Sequence, residues 1–130
     1  MTNSNIIRVL HFDYQRFFST YIRERLALKF KKYPKVEYYD FISDHYGSFE
    51  ENKETLEALL PQKDILLIYP SVIGQKRVFE YLKLFPHLQV ALVIPGDFST
   101  YESMNGIRLF DYTHTDSIVN WVLSGGKEIK

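Results

Sequence analysis

The feature that most constrains the fold is a short apolar run, Ile65–Ile68, near the middle of the chain. A lone acid, Asp64, precedes it, and Tyr69 and Pro70 follow it. Four consecutive aliphatic residues bounded by a proline are typical of a strand that is buried on both faces. Such strands form parallel sheets with helices on both sides. Ligands of these sheets bind beyond the carboxyl ends of the strands, which makes Tyr69 the first candidate functional position.

The size and composition of the chain indicate one domain. A chain of 130 residues with 45% hydrophobic and 25% charged residues can bury one core, and we predict a single domain over 1–130 with a tail at 124–130. The absence of cysteine excludes disulfides and thiolate chemistry. The N-terminus lacks the apolar core of a signal peptide, and no apolar run reaches membrane-spanning length. We therefore expect a cytoplasmic protein that does not contact a membrane.

Predicted strands and helices alternate along the chain. Short apolar or alternating segments predict five strands, at 6–12, 36–42, 65–68, 89–94 and 107–112. Apolar stripes and terminal prolines predict four helices, at 14–32, 49–60, 74–85 and 117–123. Segment 95–106 consists mostly of turn formers and leaves room for a shortened fourth helix between the last two strands. Such alternation predicts a three-layer α/β sandwich with a five-stranded parallel sheet in the flavodoxin-like order 2-1-3-4-5.

Three motifs resemble the receiver domain of response regulators. The sequence IRVLHFDY at 7–14 resembles the first receiver strand, which ends in a pair of acids. The sequence DILLIYPSVIG at 64–74 resembles the third strand, which ends in the aspartate that accepts the phosphoryl group. The sequence GIRLFDYT at 106–113 resembles the fifth strand, which ends in a lysine. The resemblance spans nearly the whole chain and implies a role in two-component signal transduction.

The residues that carry receiver chemistry are mostly absent. Receivers cluster carboxylates to hold Mg²⁺, and of the acid pair only Asp13 is kept, with Tyr14 in the second place. The acceptor position falls on Tyr69, the hydroxyl position on Ile94 and the lysine position on Thr113. A phenol with a pKa near ~10 does not replace a carboxylate nucleophile. The resemblance therefore implies a pseudo-receiver, which is not an enzyme and has no metal or cofactor.

Two interpretations of the strand edge remain open. Tyr69 is an aromatic plug that fills the volume of the lost metal site, or it lines a pocket for a small molecule or nucleotide together with Asp13 and Thr113. Asp13 by itself is more typical of a helix cap or loop acceptor than of a metal ligand. The four histidines lack the spacing of a helical metal site, and no activated nucleophile can be placed beside the pair His114 and Asp116.

Aromatic residues and a methionine concentrate in the C-terminal third, in the region by which receivers dimerise. Tyr, Trp and Met are enriched in interface cores, so these residues predict contact with a protein partner, and self-association in particular. The alternative is that Phe110 and Trp121 seal the edge of the domain. The predicted interface residues are Phe98, Tyr101, Met104, Phe110, Tyr112 and Trp121.

Charge is unevenly distributed although the net charge is zero. Residues 1–36 carry eight basic and two acidic side chains, whereas 37–64 carry two basic and eight acidic ones. The simplest interpretation is a pair of solvated helix faces, without nucleic-acid binding by this domain alone. The alternative is binding of nucleic acid or an acidic partner by the first helix. Its basic residues are Arg16, Arg23, Arg25, Lys29, Lys31 and Lys32.

Overall fold

A computed structural model describes residues 6–14, 17–43, 49–69, 75–94 and 107–126 of the chain. The strands are β1 (Ile7–Tyr14), β2 (Val36–Ser43), β3 (Ile65–Ile68), β4 (Gln89–Ile94) and β5 (Arg108–Asp111). The helices are α1 (Phe17–Phe30), α2 (Phe49–Leu59), α3 (Gln75–Leu84) and α4 (Thr115–Leu123), and a 3₁₀ turn spans Leu60–Gln62.

The five strands form one parallel sheet in the order β2-β1-β3-β4-β5, which confirms the predicted fold class. Strand β3 is the short apolar run that constrains the fold, and all four of its residues are buried. It pairs with β1 from Val9↔Ile65 onwards and with β4 from Ile65↔Gln89 onwards. Because all the strands are parallel, their carboxyl ends meet at one edge of the sheet.

Helices cover both faces of the sheet. The α1/α4 face is the side of the sheet on which α1 and α4 pack, and the α2/α3 face is the opposite side. The buried cluster of the α1/α4 face includes Val9, Ile22, Leu26, Phe30, Ile65, Leu67, Val93, Phe110, Ile118, Trp121 and Val122. The buried cluster of the α2/α3 face includes Leu10, Phe12, Leu56, Leu60, Leu66, Ile68, Tyr69, Val78, Tyr81, Leu92 and Ile94.

Element boundaries differ from the predicted ones by a few residues. Helix α1 ends at Phe30, before the lysines at 31 and 32, which form a turn ahead of Pro34. Pro61 lies inside the 3₁₀ turn after α2, where its lack of an N–H is tolerated. Helix α4 begins at Thr115 rather than 117, because Ile118 N–H already bonds the carbonyl of His114. The predicted short helix in 95–106 lies outside the described residues.

The end of α4 depends on two glycines. Gly125 and Gly126 have φ angles of 81° and 79°, a conformation in which a side chain would be strained. At Gly126 a Cβ atom would also lie 2.5 Å from Cβ of Gln89, so glycine lets the chain end pack against β4. None of the helices in the described ranges is long and apolar enough to cross a membrane.

Candidate functional site

Asp13 lies at the carboxyl edge of the sheet, near the end of β1, and its side chain is completely buried. The hydroxyl of Tyr112 donates to this carboxylate, at 3.1 Å from Oδ1 and 2.8 Å from Oδ2. Tyr112 follows β5 directly, and its backbone N–H bonds the carbonyl of Ile94 at 3.0 Å, which places it at the same edge. Burying a carboxylate is costly unless hydrogen bonds compensate, so the Tyr112 hydroxyl meets part of that requirement.

His11 lies two residues before Asp13 on the same face of β1, and it is also completely buried. Its Nδ1 is 2.5 Å from the hydroxyl of Tyr38 on the neighbouring strand. Its Nε2 is 3.5 Å from Oδ2 of Asp13, and no hydrogen-bond partner for Nε2 is found among the described residues. We name Asp13, His11, Tyr38 and Tyr112 the buried polar cluster.

The pKa of Tyr38 is raised well above its ordinary value, mainly because burial disfavours the phenolate and also because of the nearby Asp40 carboxylate. Asp40 is paired with the guanidinium of Arg23 at 3.1 Å, which opposes the effect in part. Tyr38 therefore keeps its proton at neutral pH and can donate it to Nδ1 of His11. With Nδ1 of His11 in contact with Tyr38, Nε2 is the ring nitrogen that faces Asp13.

Comparisons with known proteins identify a solved structure with a similar fold, but they do not assign the chain to a family. No family model matches the chain, and no curated protein matches its sequence. Among solved structures, the RcsB response regulator of Salmonella typhimurium matches with a TM-score of 0.64 and 12% sequence identity. The match covers 95% of this chain and 64% of that one, so the chain spans less than two thirds of its structural neighbour. The fold is receiver-like.

The residues of the receiver-like pocket that the sequence predicts lie on two different faces of the sheet. Tyr69, at the acceptor position, is 8% exposed and belongs to the apolar cluster of the α2/α3 face, and so does Ile94. Asp13, by contrast, contacts His11 and Tyr112 on the α1/α4 face. The packing of Tyr69 fits the aromatic-plug interpretation of this position.

Thr113, the residue at the predicted lysine position, is not part of the buried polar cluster. Thr113 is exposed, and its backbone N–H and its hydroxyl both donate to the carboxylate of Asp111, so it closes a turn. Tyr112 is the residue after β5 that reaches Asp13, because its longer side chain points into the core. The side chain of Tyr14 lies outside the described residues, although its backbone pairs with Ser43.

The described members of the predicted interface are buried within the chain itself. Phe110, Tyr112 and Trp121 are only 2%, 4% and 4% exposed, because β5 and α4 pack these rings against the α1/α4 face. Their burial fits the alternative that Phe110 and Trp121 seal the edge of the domain, and it leaves none of the three rings exposed for contact with a partner. The other three predicted residues, Phe98, Tyr101 and Met104, lie outside the described residues.

The basic side chains of α1 are partly neutralised. Arg23 pairs with Asp40, as described above, and Lys29 Nζ lies 2.7 Å from Oδ1 of Asp116 on α4. This hydrogen bond from Lys29 is the main cause of a lowered pKa at Asp116. Arg25 lies over the Tyr21 ring, 4.6 Å from its centroid. Of the remaining predicted basic residues, Lys31 and Lys32 are exposed and Arg16 lies outside the described part of the chain.

The other described histidines make local contacts. Nε2 of His87 is 3.1 Å from the carbonyl of Lys63, and Nδ1 of His114 accepts from the backbone N–H of Asp111 at 3.3 Å. His114 therefore belongs to the turn after β5, whereas Asp116 pairs with Lys29. Within the described ranges, no group of three or more His, Cys, Asp or Glu side chains is placed to hold a metal ion.

Three members of the buried polar cluster are absent from the sequence-based site. The sequence places Tyr112 in the predicted interface, and it places His11 and Tyr38 in strands without a role. The alternation of β1 offered one usable signal, since Val9, His11 and Asp13 share a face and a histidine on a buried strand needs a partner. The contacts with Tyr38 and Tyr112 depend on sheet order and could not be read from local pattern.

Proposed function

We propose that this protein is a non-catalytic regulatory module, a pseudo-receiver that acts through contact with another protein and without phosphorylation. The observation that carries the proposal is the state of Asp13, the one acid kept from the receiver pattern. It is completely buried, and the Tyr112 hydroxyl donates to both of its oxygens. A carboxylate held in this way serves as a structural acceptor.

The chemistry at the acceptor position supports the same proposal. Phosphorylation of an aspartate needs an accessible carboxylate nucleophile and oxygen ligands for Mg²⁺. At this position the chain has Tyr69, whose side chain packs among apolar residues of the α2/α3 face. A buried phenol is a poor nucleophile at neutral pH, since the pKa of a tyrosine is ordinarily about 10.

We further propose that the contact surface lies in the segment from β4 to α4 and that the first partner to test is a second copy of the chain. Phe110 and Trp121 are buried, so their rings would pack beneath the proposed contact surface and would not form it. Contact would then fall on exposed positions of α4, such as Ser117 and Asn120, and on the predicted residues between β4 and β5. We place this activity in the cytoplasm, without a cofactor.

The phosphorylation part is tested by incubating the protein with Mg²⁺ and a small phosphoryl donor such as acetyl phosphate, followed by intact-mass spectrometry. A receiver with its full acidic pocket serves as the positive control. We expect no covalent phosphoryl adduct on this protein while the control is modified. An adduct that Asp13→Asn abolishes would overturn the proposal.

The contact part is tested by light scattering coupled to size-exclusion chromatography at two protein concentrations. The variant is Asn120→Glu, which adds a charge to the exposed side of α4. The matched control is Ala58→Glu, which adds the same charge to an exposed position of α2. We expect a wild-type dimer that Asn120→Glu weakens and Ala58→Glu leaves intact. A wild-type monomer at both concentrations would exclude self-association.

A further inference from the structure

Strand β2 is a long strand at one edge of the sheet. It spans eight residues, all of which pair with β1, and no other strand in the described ranges pairs with its opposite side. We name that side the open edge of β2. Strand β5, at the other edge of the sheet, has only four residues. Natural edge strands are commonly short, because their unpaired N–H and C=O groups can bind any strand that approaches.

The hydrogen bonds of β1 show which backbone groups face the open edge. The N–H of Ile7 donates to the carbonyl of Lys35 at 2.7 Å. Bonding residues alternate along a parallel pair, so the odd-numbered residues of β2 bond β1 and the even-numbered ones point away from it. The residues that present both N–H and C=O at the open edge are Tyr38, Asp40 and Ile42.

The devices that usually protect an edge are absent from β2. Its residues pair one to one with β1, so the strand has no bulge, and it contains neither proline nor lysine. Its two acids are paired within the chain, since Glu37 lies 3.6 Å from Arg8 and Asp40 lies 3.1 Å from Arg23. Their repulsion of an approaching strand is therefore reduced.

The sequence of β2 suits antiparallel pairing with a second copy of itself. When the pair is centred on Tyr39, the residues that face the open edge in one copy lie opposite those of the other. Val36 then lies opposite Ile42 of the second copy, and Tyr38 lies opposite Asp40 of the second copy. This register pairs apolar residues at both ends and places no like charges directly opposite each other.

Other registers match the side chains less well. Centring the pair on Glu37 or on Asp40 places two carboxylates opposite each other. Centring it on Tyr38 places Val36 opposite an acid, and centring it on Phe41 leaves the first residues of the strand without a partner. The pattern of side chains therefore favours one register.

Tyr39, at the centre of that register, has an exposed ring. Its side chain lies on the α2/α3 side of the strand and is 45% exposed, with Nζ of Lys63 5.1 Å from the ring centroid. Aromatic pairs across neighbouring strands are stabilising. Contact between the two Tyr39 rings would remove exposed aromatic surface from both copies.

We propose that the open edge of β2 pairs antiparallel with β2 of a second copy, about a twofold axis at Tyr39, so that the two sheets become continuous. Such a contact satisfies the outward backbone groups of both copies and gives a closed dimer. The surface is separate from the one proposed on α4, and the inference does not rest on the proposed function.

The absence of cysteine from the chain allows a test by disulfide trapping. Tyr39→Cys introduces one thiol, which lies opposite its counterpart only if the strands pair about this residue. Directly opposite Cβ atoms are about 5 Å apart, which a small adjustment brings within disulfide range. We expect a covalent dimer of Tyr39→Cys under mild oxidation.

Two control variants separate this register from random collision. Glu37→Cys lies on the same side of the same strand, but its two thiols would be roughly 14 Å apart in the proposed pair. Tyr21→Cys places an exposed thiol on α1. Tyr39→Cys should cross-link at least about tenfold faster than either control, because pairing holds its thiols at a high effective concentration.

The same experiment distinguishes the β2 contact from the α4 contact, which light scattering of a dimer cannot do. Adding Asn120→Glu to Tyr39→Cys should leave the cross-linking rate unchanged. The β2 proposal is overturned if Tyr39→Cys gives no dimer, if all three cysteine variants cross-link equally fast, or if Asn120→Glu prevents the cross-link.

Hydrogen exchange of the wild-type protein tests the pairing without a substitution. The outward N–H groups of Tyr38, Asp40 and Ile42 should exchange slowly in concentrated solution and rapidly after dilution. Those of Tyr39 and Phe41, which bond β1, should exchange slowly in both. Protection of the outward groups at every concentration would mean that the chain covers its own edge, and rapid exchange at every concentration would mean that no copy pairs there. Either result overturns the proposal.

Discussion

The two faces of β1 differ in what holds them to the rest of the molecule. Leu10 and Phe12 point to the α2/α3 face, where they join an apolar cluster, and Phe12 stacks on Phe41 with ring centroids 5.1 Å apart. On the α1/α4 face the same strand carries His11 and Asp13, both completely buried. One face is thus stabilised by packing, and the other depends on hydrogen bonds near the carboxyl end of the strand.

The difference shows that one strand can take part in an apolar core on one side and in a hydrogen-bonded cluster on the other. At the carboxyl edge, Asp13 connects β1 to the residue that follows β5, and the Tyr112–Asp13 bond joins positions 99 residues apart. The His11–Tyr38 contact joins β1 to β2. In this receiver-like fold Asp13 therefore links distant parts of the chain, while Tyr69 belongs to the apolar cluster of the α2/α3 face.

The largest effect is expected from truncation of a side chain on the α2/α3 face. Leu92→Ala removes a fully buried side chain and leaves a cavity, which should lower the free energy of unfolding by about 2–5 kcal/mol. Leu84→Ala is the matched control, because Leu84 is 64% exposed and its truncation should change stability by less than about 0.5 kcal/mol. Urea denaturation monitored by circular dichroism measures both. Equal losses would mean that the assigned burial is wrong.

A smaller effect is expected from the buried polar cluster. Tyr112→Phe keeps the ring and removes the hydroxyl that donates to Asp13, which should cost about 1–3 kcal/mol because it leaves a buried carboxylate without that donor. Tyr21→Phe, on an exposed ring of α1, should be nearly neutral. In the Asp13→Leu background the Tyr112→Phe penalty should shrink, and the double-mutant cycle measures this coupling. Additive effects would show that the two side chains do not interact.

The two neighbouring tyrosines of β2 allow a test of how the burial of Tyr38 makes stability depend on pH. The raised pKa of Tyr38 means that, above the unfolded-state pKa of about 10, the unfolded chain releases a proton that the folded chain keeps. Stability should therefore fall with rising pH in this range, by at most about 1.4 kcal/mol per pH unit from this group. Tyr38→Phe should flatten the slope, whereas Tyr39→Phe, on an exposed ring, should keep it. A slope that survives in Tyr38→Phe would assign the titration to another group.

The features that the sequence could predict are the apolar ones, which dominate the α2/α3 face of β1. The apolar run of β3, the alternation of strands and helices and the helix-ending prolines predicted the elements, and the usual flavodoxin-like arrangement of five such units then supplied the sheet order. The same patterns placed Tyr69 at a strand end and favoured its packing as a plug.

The buried polar cluster was harder to predict, because its contacts join strands that only the folded sheet brings together. The sequence shows Tyr112 as the last residue of an alternating strand, which does not reveal whether its ring faces solvent or core. Thr113 occupied the aligned position after the fifth strand, yet a one-residue difference at a strand end reverses the side of the sheet that a residue faces. His11 and Tyr38 are ordinary strand residues until their rings meet across the sheet.

The smallest effect on stability is expected from the Lys29–Asp116 ion pair, where α1 meets α4 at the surface. Lys29 holds the pKa of Asp116 below its ordinary value through a hydrogen bond, so the pair stabilises the fold above the unfolded-state pKa of about 4 and loses its effect as the pH falls through the lowered pKa. Asp116→Asn should therefore lower the melting temperature slightly near pH 7, and the difference from wild type should vanish in acid and at high salt. Glu54→Gln, which removes an exposed carboxylate from α2, controls for the change in net charge. A difference that persists at high salt would mean that α4 is held to α1 through Asp116 by something other than this ion pair.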